Sequence, residues 1–531
     1  MGVLYPTIML TCSQDSPSSL LSFFKARSAP SRLLLVALCS LGLVLAGCSG
    51  GSSSSGSSST SGTAPGGGSG SGGGSNNTPT PGAANSVQLG TATVFDGPNP
   101  EPAQIAADAS GDDTLAWTDP SGQVYVSRLA AGSTSWTTPV ALIPATSTLK
   151  AHGGITFAAS DASGNTTVLF QASDASFQSY LVASTLLAGS SKWSQPATLS
   201  IPDASGSAAT LMSNGDIAAA YGGSLTDSVQ VATFAPQTQS WGAPVTAAQS
   251  PTLLGNFTIT STPQNALTVL WTANIVPNND PSQQSASGVY AATASGSAGP
   301  FSTPVEIDVQ PGGTAPGIVT SLPDAVTDTS GNTTAIWTAS PQAGGATDLY
   351  ASRLAAGSST WSKPVQLDTS SSNNPYVGFP TPLVVDAQGN VTVAWIAGIN
   401  SPRTVQAVRY DASTSQWSTP SLVQTLPSGT VAGIPALAIG PTQGEVSVFW
   451  NQPPSASSSG SNGDIYQSIW SSGSGSWGNP IQADLPLPTA GASAATFPVA
   501  AVNGSSSMAV AWGDPVTGSN SSYTLYANVL Q

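Results

Sequence analysis

Short runs of alternating apolar and polar residues follow one another along the chain from residue 86 onward. The alternation is clear in the segment from Thr392 to Trp395, and again at Ile105 and Ala107. A period of two is typical of β-strands with one buried face, and no stretch has the 3.6-residue period of an amphipathic helix. We therefore predict an all-β domain.

An aromatic residue followed three positions later by proline marks a repeat. The period of roughly 48 to 60 residues lies in the range of propellers, solenoids and arrays, in which one unit cannot bury its apolar face alone. The pairs are Trp136/Pro139, Trp193/Pro196, Trp241/Pro244, Phe301/Pro304, Trp361/Pro364, Trp417/Pro420 and Trp477/Pro480.

A second landmark is the motif D-x-x-G-[ND], with an aromatic residue nine positions after the aspartate. It predicts a tight hairpin, because glycine supplies a positive φ and aspartate caps turn amides. Clear copies begin at Asp108, Asp161, Asp328 and Asp386 and lead to Trp117, Phe170, Trp337 and Trp395. Weaker copies are Gly215 with Tyr221, Asn265 with Trp271, Gly444 with Trp450 and Gly504 with Trp512.

The eight aromatic positions predict eight units, each with four antiparallel strands, and hence one β-propeller. The W-x-x-P motif falls in the fourth strand, where proline, which lacks an N–H, belongs at an edge. The last unit reaches only a third strand, Tyr523 to Val529, and the segment Ser86 to Leu89 can supply its fourth. We predict an eight-bladed ring closed by this N-terminal strand. A seven-bladed ring with a divergent extra unit is the alternative.

The first 47 residues read as a signal segment. Lys25, Arg27 and Arg32 precede an apolar run, Leu33 to Leu45, that is too short for a membrane anchor. The string Leu45-Ala46-Gly47-Cys48 resembles a bacterial lipobox, which implies cleavage before Cys48 and lipidation of its thiol. The resemblance implies an exported protein at the outer membrane or surface of a Gram-negative bacterium. An ordinary signal peptide with a chance cysteine is the alternative.

Residues 48–85 are nearly all Gly, Ser, Thr, Asn and Pro, which predicts a disordered tether with an end-to-end distance of roughly 30 to 35 Å. The propeller domain is assigned to residues 86–531. Ten basic residues face 25 acidic ones, giving a formal charge of −15, and three of the ten lie in the signal segment. So acidic a body disfavours binding to nucleic acid or to anionic headgroups.

In such a meander, the connections that follow the second and fourth strands share one face. This face receives every long insertion, at 272–287, 309–321, 369–380, 451–463 and 513–522, and we predict that it is the functional one. Candidate ligand-binding residues on it are Lys150, His152, Asn278, Asp280, Tyr376, Phe379, Arg403 and Asp514. For each of them a purely structural role, such as a polar turn or an aromatic packed on a blade, stays open.

Repeated residues are assigned to structure. The tryptophans of the two motifs are expected in the core, and Arg128, Arg353 and Arg409 recur near one third-strand position. The D-x-x-G-N turns supply one carboxylate each, whereas calcium takes about six to eight oxygens. We predict no metal site, no cofactor and a monomer.

The repeats resemble those of bacterial surface lipoproteins with sialidase-like or BNR-type propellers, although glycine lies three rather than two positions after the aspartate. Sialidases carry an arginine triad and a Tyr/Glu nucleophile pair; the arginine outside the repeat positions here is Arg403, and the glutamates of residues 48–531 are Glu101, Glu306 and Glu445. We predict a non-catalytic scaffold that binds glycan or protein. A sialidase-like or other propeller glycoside hydrolase, with loop aspartates such as Asp280 and Asp514, and a structural envelope spacer are the alternatives.

Overall fold

The domain is a ring of eight four-stranded blades, as the repeat predicts. In this computed structural model the described regular structure is entirely β, and the described residues include no helix that could cross a membrane. The structure describes residues 87–93, 103–201, 206–223, 227–249, 253–275, 286–297, 299–309, 318–319, 323–340, 347–368, 383–398, 403–427, 435–452, 463–484, 496–503, 507–516 and 522–530.

The strands are β1 (Val87–Thr93), β2 (Ala103–Ala107), β3 (Asp113–Thr118), β4 (Val124–Leu129), β5 (Val140–Ala141), β6 (Lys150–Ser160), β7 (Thr166–Ser173), β8 (Ser179–Leu186), β9 (Ala197–Ile201), β10 (Ser207–Leu211), β11 (Ile217–Gly223), β12 (Ser228–Ala235), β13 (Ser240–Trp241), β14 (Val245–Gln249), β15 (Leu253–Ser261), β16 (Leu267–Ile275), β17 (Ala286–Ala294), β18 (Val305–Glu306), β19 (Ile318–Val319), β20 (Asp324–Thr327), β21 (Thr333–Ser340), β22 (Asp348–Leu354), β23 (Val365–Gln366), β24 (Leu383–Val385), β25 (Val391–Ala397), β26 (Thr404–Asp411), β27 (Gln416–Trp417), β28 (Ser421–Thr425), β29 (Ala436–Ile439), β30 (Val446–Gln452), β31 (Asp464–Ser471), β32 (Ser476–Trp477), β33 (Ile481–Gln482), β34 (Thr496–Asn503), β35 (Ser507–Pro515) and β36 (Ser522–Leu530).

Blades 1 to 7 comprise β2–β5, β6–β9, β10–β14, β15–β18, β19–β23, β24–β28 and β29–β33, and blade 8 comprises β34–β36 with β1. All neighbouring strands within a blade pair antiparallel, and the first strand of each blade contacts the first strands of both neighbours round the ring. The proline of W-x-x-P interrupts the outer strand. In blades 3, 6 and 7 the part before the proline is a short strand, and in blades 1, 2, 4 and 5 it is a single bridge at the aromatic residue. In blade 5 the first strand is also divided, into β19 and β20.

The N-terminal strand closes the ring, as predicted, and the seven-bladed alternative is wrong. Strand β1 pairs antiparallel with β36, from Val87 opposite Ala527 to Thr93 opposite Ser522. The strand is longer than the segment that the sequence indicated. Gly90 in β1 lies against Trp117 of blade 1, where a Cβ atom would come within 3.3 Å of the indole ring.

The second strand of every blade lies in the core, and its aromatic residue packs toward the neighbouring blade. These residues, at most 2% exposed, are Trp117, Phe170, Tyr221, Trp271, Trp337, Trp395, Trp450 and Trp512. Opposite the tryptophan, five blades carry a third-strand tyrosine with the two rings stacked at 5.8–6.4 Å between centroids. The aromatic residues of the outer strands are half-buried. The core assignment therefore holds fully for the inner set and partly for the outer one.

The D-x-x-G-N motif forms the predicted hairpin between the first and second strands. In blade 2, Asp161 Oδ1 accepts the amides of Ser163 and Asn165, both at 2.9 Å, and Gly164 has a φ of 83°. Asn165 then accepts the amide of Ala188 at 2.9 Å, which joins this turn to the turn between the third and fourth strands. Asn265, which replaces glycine in blade 4, has a φ of 62°, as its left-handed position requires. Gly504 of the last copy lies outside the described residues.

Some residues assigned to insertions are strand instead. Of the segment 272–287, β16 extends to Ile275 and β17 begins at Ala286, and β35 extends to Pro515. The ladder between β16 and β17 continues without interruption over these residues. The connections on this face are therefore shorter than the alternation of the sequence indicates.

Candidate functional site

Two faces of the ring are distinguished by their connections. On the short-turn face lie the turns that follow the first and third strands; on the long-connection face lie those that follow the second and fourth. Lys150 and Arg403 lie where strands leave the long-connection face, and Asp514 lies near the end of β35 on the same face. They belong to blades 2, 6 and 8, which do not adjoin.

Blade 2 carries a cluster of chemistry-bearing side chains at the end of its strands on this face. Lys150 is exposed at the start of β6 and lies opposite Ser173, the last residue of β7. His152 is half-buried, and its Nε2 has no hydrogen-bond partner among the described residues. The amide of Ala151, between them, donates to the carbonyl of Gly122 in blade 1 at 2.9 Å. The neighbouring blade thus holds this end of β6 in place.

Phe177, at the tip of the turn between β7 and β8, is 89% exposed. Its turn repeats the pattern of the equivalent turn in blade 1, where glycine occupies the same place: Asp174 and Phe177 correspond to Asp119 and Gly122. Phe177 has a φ of 61° and Gly122 one of 77°. A left-handed conformation is strained for a bulky side chain. The fold therefore displays an aromatic ring at a position where glycine would be more stable.

The turn beneath Phe177 is well ordered by hydrogen bonds. Asp174 Oδ1 accepts the amides of Ser176 at 2.8 Å and Gln178 at 3.0 Å, and its Oδ2 accepts the hydroxyl of Tyr180 at 3.1 Å. The Gln178 amide, more than the Ser176 amide and the Tyr180 hydroxyl, holds the pKa of Asp174 below its usual value. We call Lys150, His152, Asp174, Phe177 and Tyr180 the blade 2 corner. The sequence indicated only its lysine and histidine.

The remaining candidates are less open or lie outside the described residues. Arg403 is half-buried and makes no salt bridge with a described residue. Asp514 is only 6% exposed, and its charge helps to raise the pKa of Tyr526, whose burial is the larger cause. Cys48, Asn278, Asp280, Tyr376 and Phe379 lie outside the described residues.

Sequence reasoning missed three buried aspartates that follow outer strands by two residues. Asp308, Asp368 and Asp484 are 0%, 3% and 5% exposed, and burial raises the pKa of Asp308 and Asp484 to about 7. In the sequence each of these aspartates ends a four-residue string, which consists of an apolar residue, a polar residue, a second apolar residue and the aspartate. It begins at Val305, Val365 and Ile481.

Each buried aspartate has a second acidic residue nearby. Burial is the main cause of the raised pKa of Asp368, and the charge of Asp348 adds to it; Asp464 acts likewise on Asp484. The amide of Leu349 donates to Asp368 Oδ1 at 2.9 Å. These pairs line neither of the two cavities between blades, so no described cavity exposes them to a substrate. Within the described residues, no three His, Cys, Asp or Glu side chains converge as a metal site would need.

The repeated arginines are structural, as predicted. On the short-turn face Arg353 and Arg409 form salt bridges with Asp328 at 3.6 Å and Asp386 at 3.2 Å. Arg128 binds Asp112 at 3.2 Å and Asp108 at 3.5 Å. Their charges therefore hold turn aspartates of their own blades.

Cavities open between blades at two of the junctions that the structure describes. One, of about 530 Å³, lies between blades 5 and 6 beside Trp361, Tyr410 and Trp417. The other, of about 600 Å³, lies where blade 8 meets blade 1 and is lined mainly by turn backbone and small side chains. Asn503 in its wall donates to Asp113 Oδ2 at 2.9 Å. This second cavity offers few side chains that could select a ligand.

No protein-family model matches the chain, and no curated protein matches its sequence. Solved structures with a similar fold include the Dos1 propeller (11% identity, 83% of this chain and 95% of that chain, TM-score 0.47). Others are the leech intramolecular trans-sialidase (10%, 84% and 92%, TM-score 0.37) and the NanB sialidase of Streptococcus pneumoniae (10%, 84% and 97%, TM-score 0.36). At such low identities and TM-scores they carry no information about function or about a site.

Proposed function

We propose that this chain is an exported lipoprotein whose propeller is a non-catalytic scaffold that binds glycan or protein through the long-connection face. Lipidation at Cys48 and the Gly/Ser-rich segment 48–85 would tether a monomeric ring to the outer membrane or cell surface of a Gram-negative bacterium. The support is the lipobox-like string and the composition of the segment after it.

One observation carries the binding proposal: Phe177 combines nearly full exposure with a left-handed backbone. Exposed aromatic rings are common anchors of binding surfaces, and strain is retained where function needs it. The exposed ammonium of Lys150 lies at the same end of blade 2. A ligand at the blade 2 corner would stack on the ring of Phe177 and accept a hydrogen bond from the ammonium of Lys150.

The hydrolase alternative has less support from the described side chains. Sialidases need an arginine triad, and Arg128, Arg353 and Arg409 are occupied in salt bridges. In the paired carboxylates on the long-connection face one member is buried and its partner half-buried, and the pairs line neither described cavity. Binding therefore fits these residues better than glycoside hydrolysis does.

The binding proposal is tested with Phe177→Gly. Glycine relieves the strained φ, so we expect a slightly higher Tm, from about 0.5–1 kcal/mol of added stability, together with weaker ligand binding. Binding is measured on a glycan array, and protein partners by a photo-crosslinking phenylalanine analogue at position 177 in living cells. The matched control places the analogue at Ser240, which is exposed on the short-turn face. If both positions give the same adducts and the array shows no binding to the native chain, the proposal is wrong, and a spacer becomes the better explanation.

Lipidation is tested separately by incorporation of a labelled fatty acid. We expect label in the native chain and none in Cys48→Ala. Label that persists in Cys48→Ala would show that the anchor assignment is wrong without touching the binding proposal.

A further inference from the structure

The cavity between blades 5 and 6 is bounded by the outer strand of each blade. Its walls hold three aromatic rings, those of Trp361, Tyr410 and Trp417, and two cationic side chains, Arg353 and Lys363. Its volume of about 530 Å³ lies within the usual range of small-molecule sites. None of these residues belongs to the blade 2 corner.

The outer tryptophan at this junction is not bonded to the preceding blade through its indole N–H, and the same holds for Trp136, whose Nε1 has no hydrogen-bond partner among the described residues. At two other junctions, the outer tryptophan is tied to the residue after the proline in the preceding blade. Trp241 Nε1 donates to the carbonyl of Ala197, and Trp477 Nε1 donates to Ser421 Oγ, both at 3.2 Å. The corresponding pair here is Trp417 and Val365, and Trp417 Nε1 makes no hydrogen bond to a described residue. Both side chains line the cavity instead.

The lining combines two kinds of contact. Trp361 and Trp417 are half-buried, so part of each ring faces the opening, while Tyr410 is covered by the guanidinium of Arg353 at 3.8 Å. Lys363 is exposed and forms no salt bridge with a described residue. The hydroxyl group of Thr360 adds a further donor and acceptor, whereas Ser362 Oγ already accepts the amide of Arg353 at 2.9 Å and donates to the carbonyl of Lys363 at 3.3 Å.

We propose that this cavity is a glycan-binding subsite. Indole faces pack against the C–H faces of sugar rings. The N–H of Trp417, which has no hydrogen-bond partner among the described residues, the ammonium of Lys363 and the Thr360 hydroxyl match sugar hydroxyls. A purely apolar ligand would leave the N–H of the half-buried Trp417 unpaired, which is costly in a partly buried site. The subsite lies on the outer side of blades 5 and 6, so it can be occupied while the long-connection face binds another ligand.

The test is a glycan array of neutral and acidic oligosaccharides probed with the full chain and with Trp417→Phe, which keeps an aromatic ring and removes the N–H. We expect a loss of about five- to tenfold in affinity for the bound glycans. The matched control is Trp193→Phe, at the same position in blade 2 but outside the cavity lining, which should bind as the native chain does. Lys363→Ala, an exposed change that leaves the fold intact, should weaken the same glycans, and acidic ones most.

Three results would overturn the subsite. One is a native chain that binds no arrayed glycan. Another is an equal loss in Trp417→Phe and Trp193→Phe, which would indicate a general effect on the fold. The third is binding that survives Trp417→Phe and Lys363→Ala but is lost in Phe177→Gly, which would assign the glycan to the blade 2 corner and so support the proposed function while excluding this site.

Discussion

The guanidinium of Arg353 in blade 5 lies 3.8 Å from the centroid of the Tyr410 ring in blade 6. The next junction repeats the relationship, with Arg409 of blade 6 lying 5.2 Å from the ring centroid of Trp470 in blade 7. Each arginine also holds a turn aspartate of its own blade, so one side chain joins a turn to the following blade. At the junction of blades 1 and 2, the corresponding ring position is Leu186, which offers Arg128 no π face.

Breaking this stacking should weaken the ring between blades 5 and 6. Tyr410→Leu introduces the residue that blades 1, 2 and 5 have at that position, and we expect a loss of about 1–2 kcal/mol in unfolding free energy. The measurement is urea denaturation of Tyr410→Leu, Arg353→Met and the double variant. A coupling energy near zero in this cycle would show that the stacking contributes nothing.

The hairpin aspartates should matter in proportion to their burial. Asp161, 8% exposed, accepts two amides and the Asn165 side chain, so Asp161→Ala should cost about 2–3 kcal/mol. Asp119→Ala removes the same local pattern from a more exposed turn and should cost about 0.5–1 kcal/mol. Thermal unfolding compares the two. An equal loss in the two variants would show that the cost of removing a hairpin aspartate does not depend on its burial.

The buried carboxylates predict that the domain is most stable in mild acid. Desolvation raises the pKa of Asp308 to about 7. The folded state therefore favours the protonated carboxyl group, which adds to the free energy of unfolding. This stabilisation is complete below pH 4 and is lost as pH rises to about 7. Since one pKa unit corresponds to about 1.4 kcal/mol, the loss is on the order of 4 kcal/mol. Asp308→Asn should raise Tm at pH 8 and leave it nearly unchanged at pH 4.

A control for this pH dependence is Asp174→Asn, because hydrogen bonds to the Gln178 amide and its neighbours lower the pKa of Asp174. The ionised Asp174 side chain stabilises the fold at neutral pH, and this stabilisation is lost in acid. Asp174→Asn should therefore lose stability at pH 7 and not at pH 3. If both variants shift Tm in the same direction at pH 8, the assignment of these pKa shifts is wrong.

Ring closure by β1 can be tested by comparing chains that begin at residue 86 and at residue 94. Without β1, the edge of β36 is unpaired, and unpaired edges associate with one another. We expect a lower Tm and concentration-dependent light scattering for the shorter chain. Gly90→Val, which would crowd Trp117, should destabilise the longer chain by about 1–3 kcal/mol. A shorter chain that stays monomeric with an unchanged Tm would contradict the role of β1.

The sequence predicts the blades because their signals are local. Positive φ at Gly164 and Asn265 is set by the turn itself, and the aromatic position of each second strand recurs at nearly constant spacing. The closing strand was also predictable, because the last unit lacks a fourth strand and the chain offers one copy elsewhere.

The site depends on features that no local pattern shows. Phe177 occupies the glycine position of its turn, so a search for turn glycines passes over it. The burial of Asp308 comes from strands and a neighbouring blade that fold around it, and a carboxylate in sequence gives no sign of its exposure. Trp417 Nε1 has no hydrogen-bond partner among the described residues, whereas the N–H groups of Trp241 and Trp477 bond to the preceding blade, and no local pattern shows which of these tryptophans do so.

The pairing of β1 with β36 sets the order in which the ring can form. Synthesis makes β1 before the rest of the domain and its partner β36 last, so β1 cannot pair until the whole domain has been made. Contacts between such distant segments form slowly, and incomplete sheets with open edges aggregate. Until β36 has been made, the folding domain therefore exposes unpaired strand edges at both ends, and a chaperone or rapid blade-by-blade folding would have to protect them.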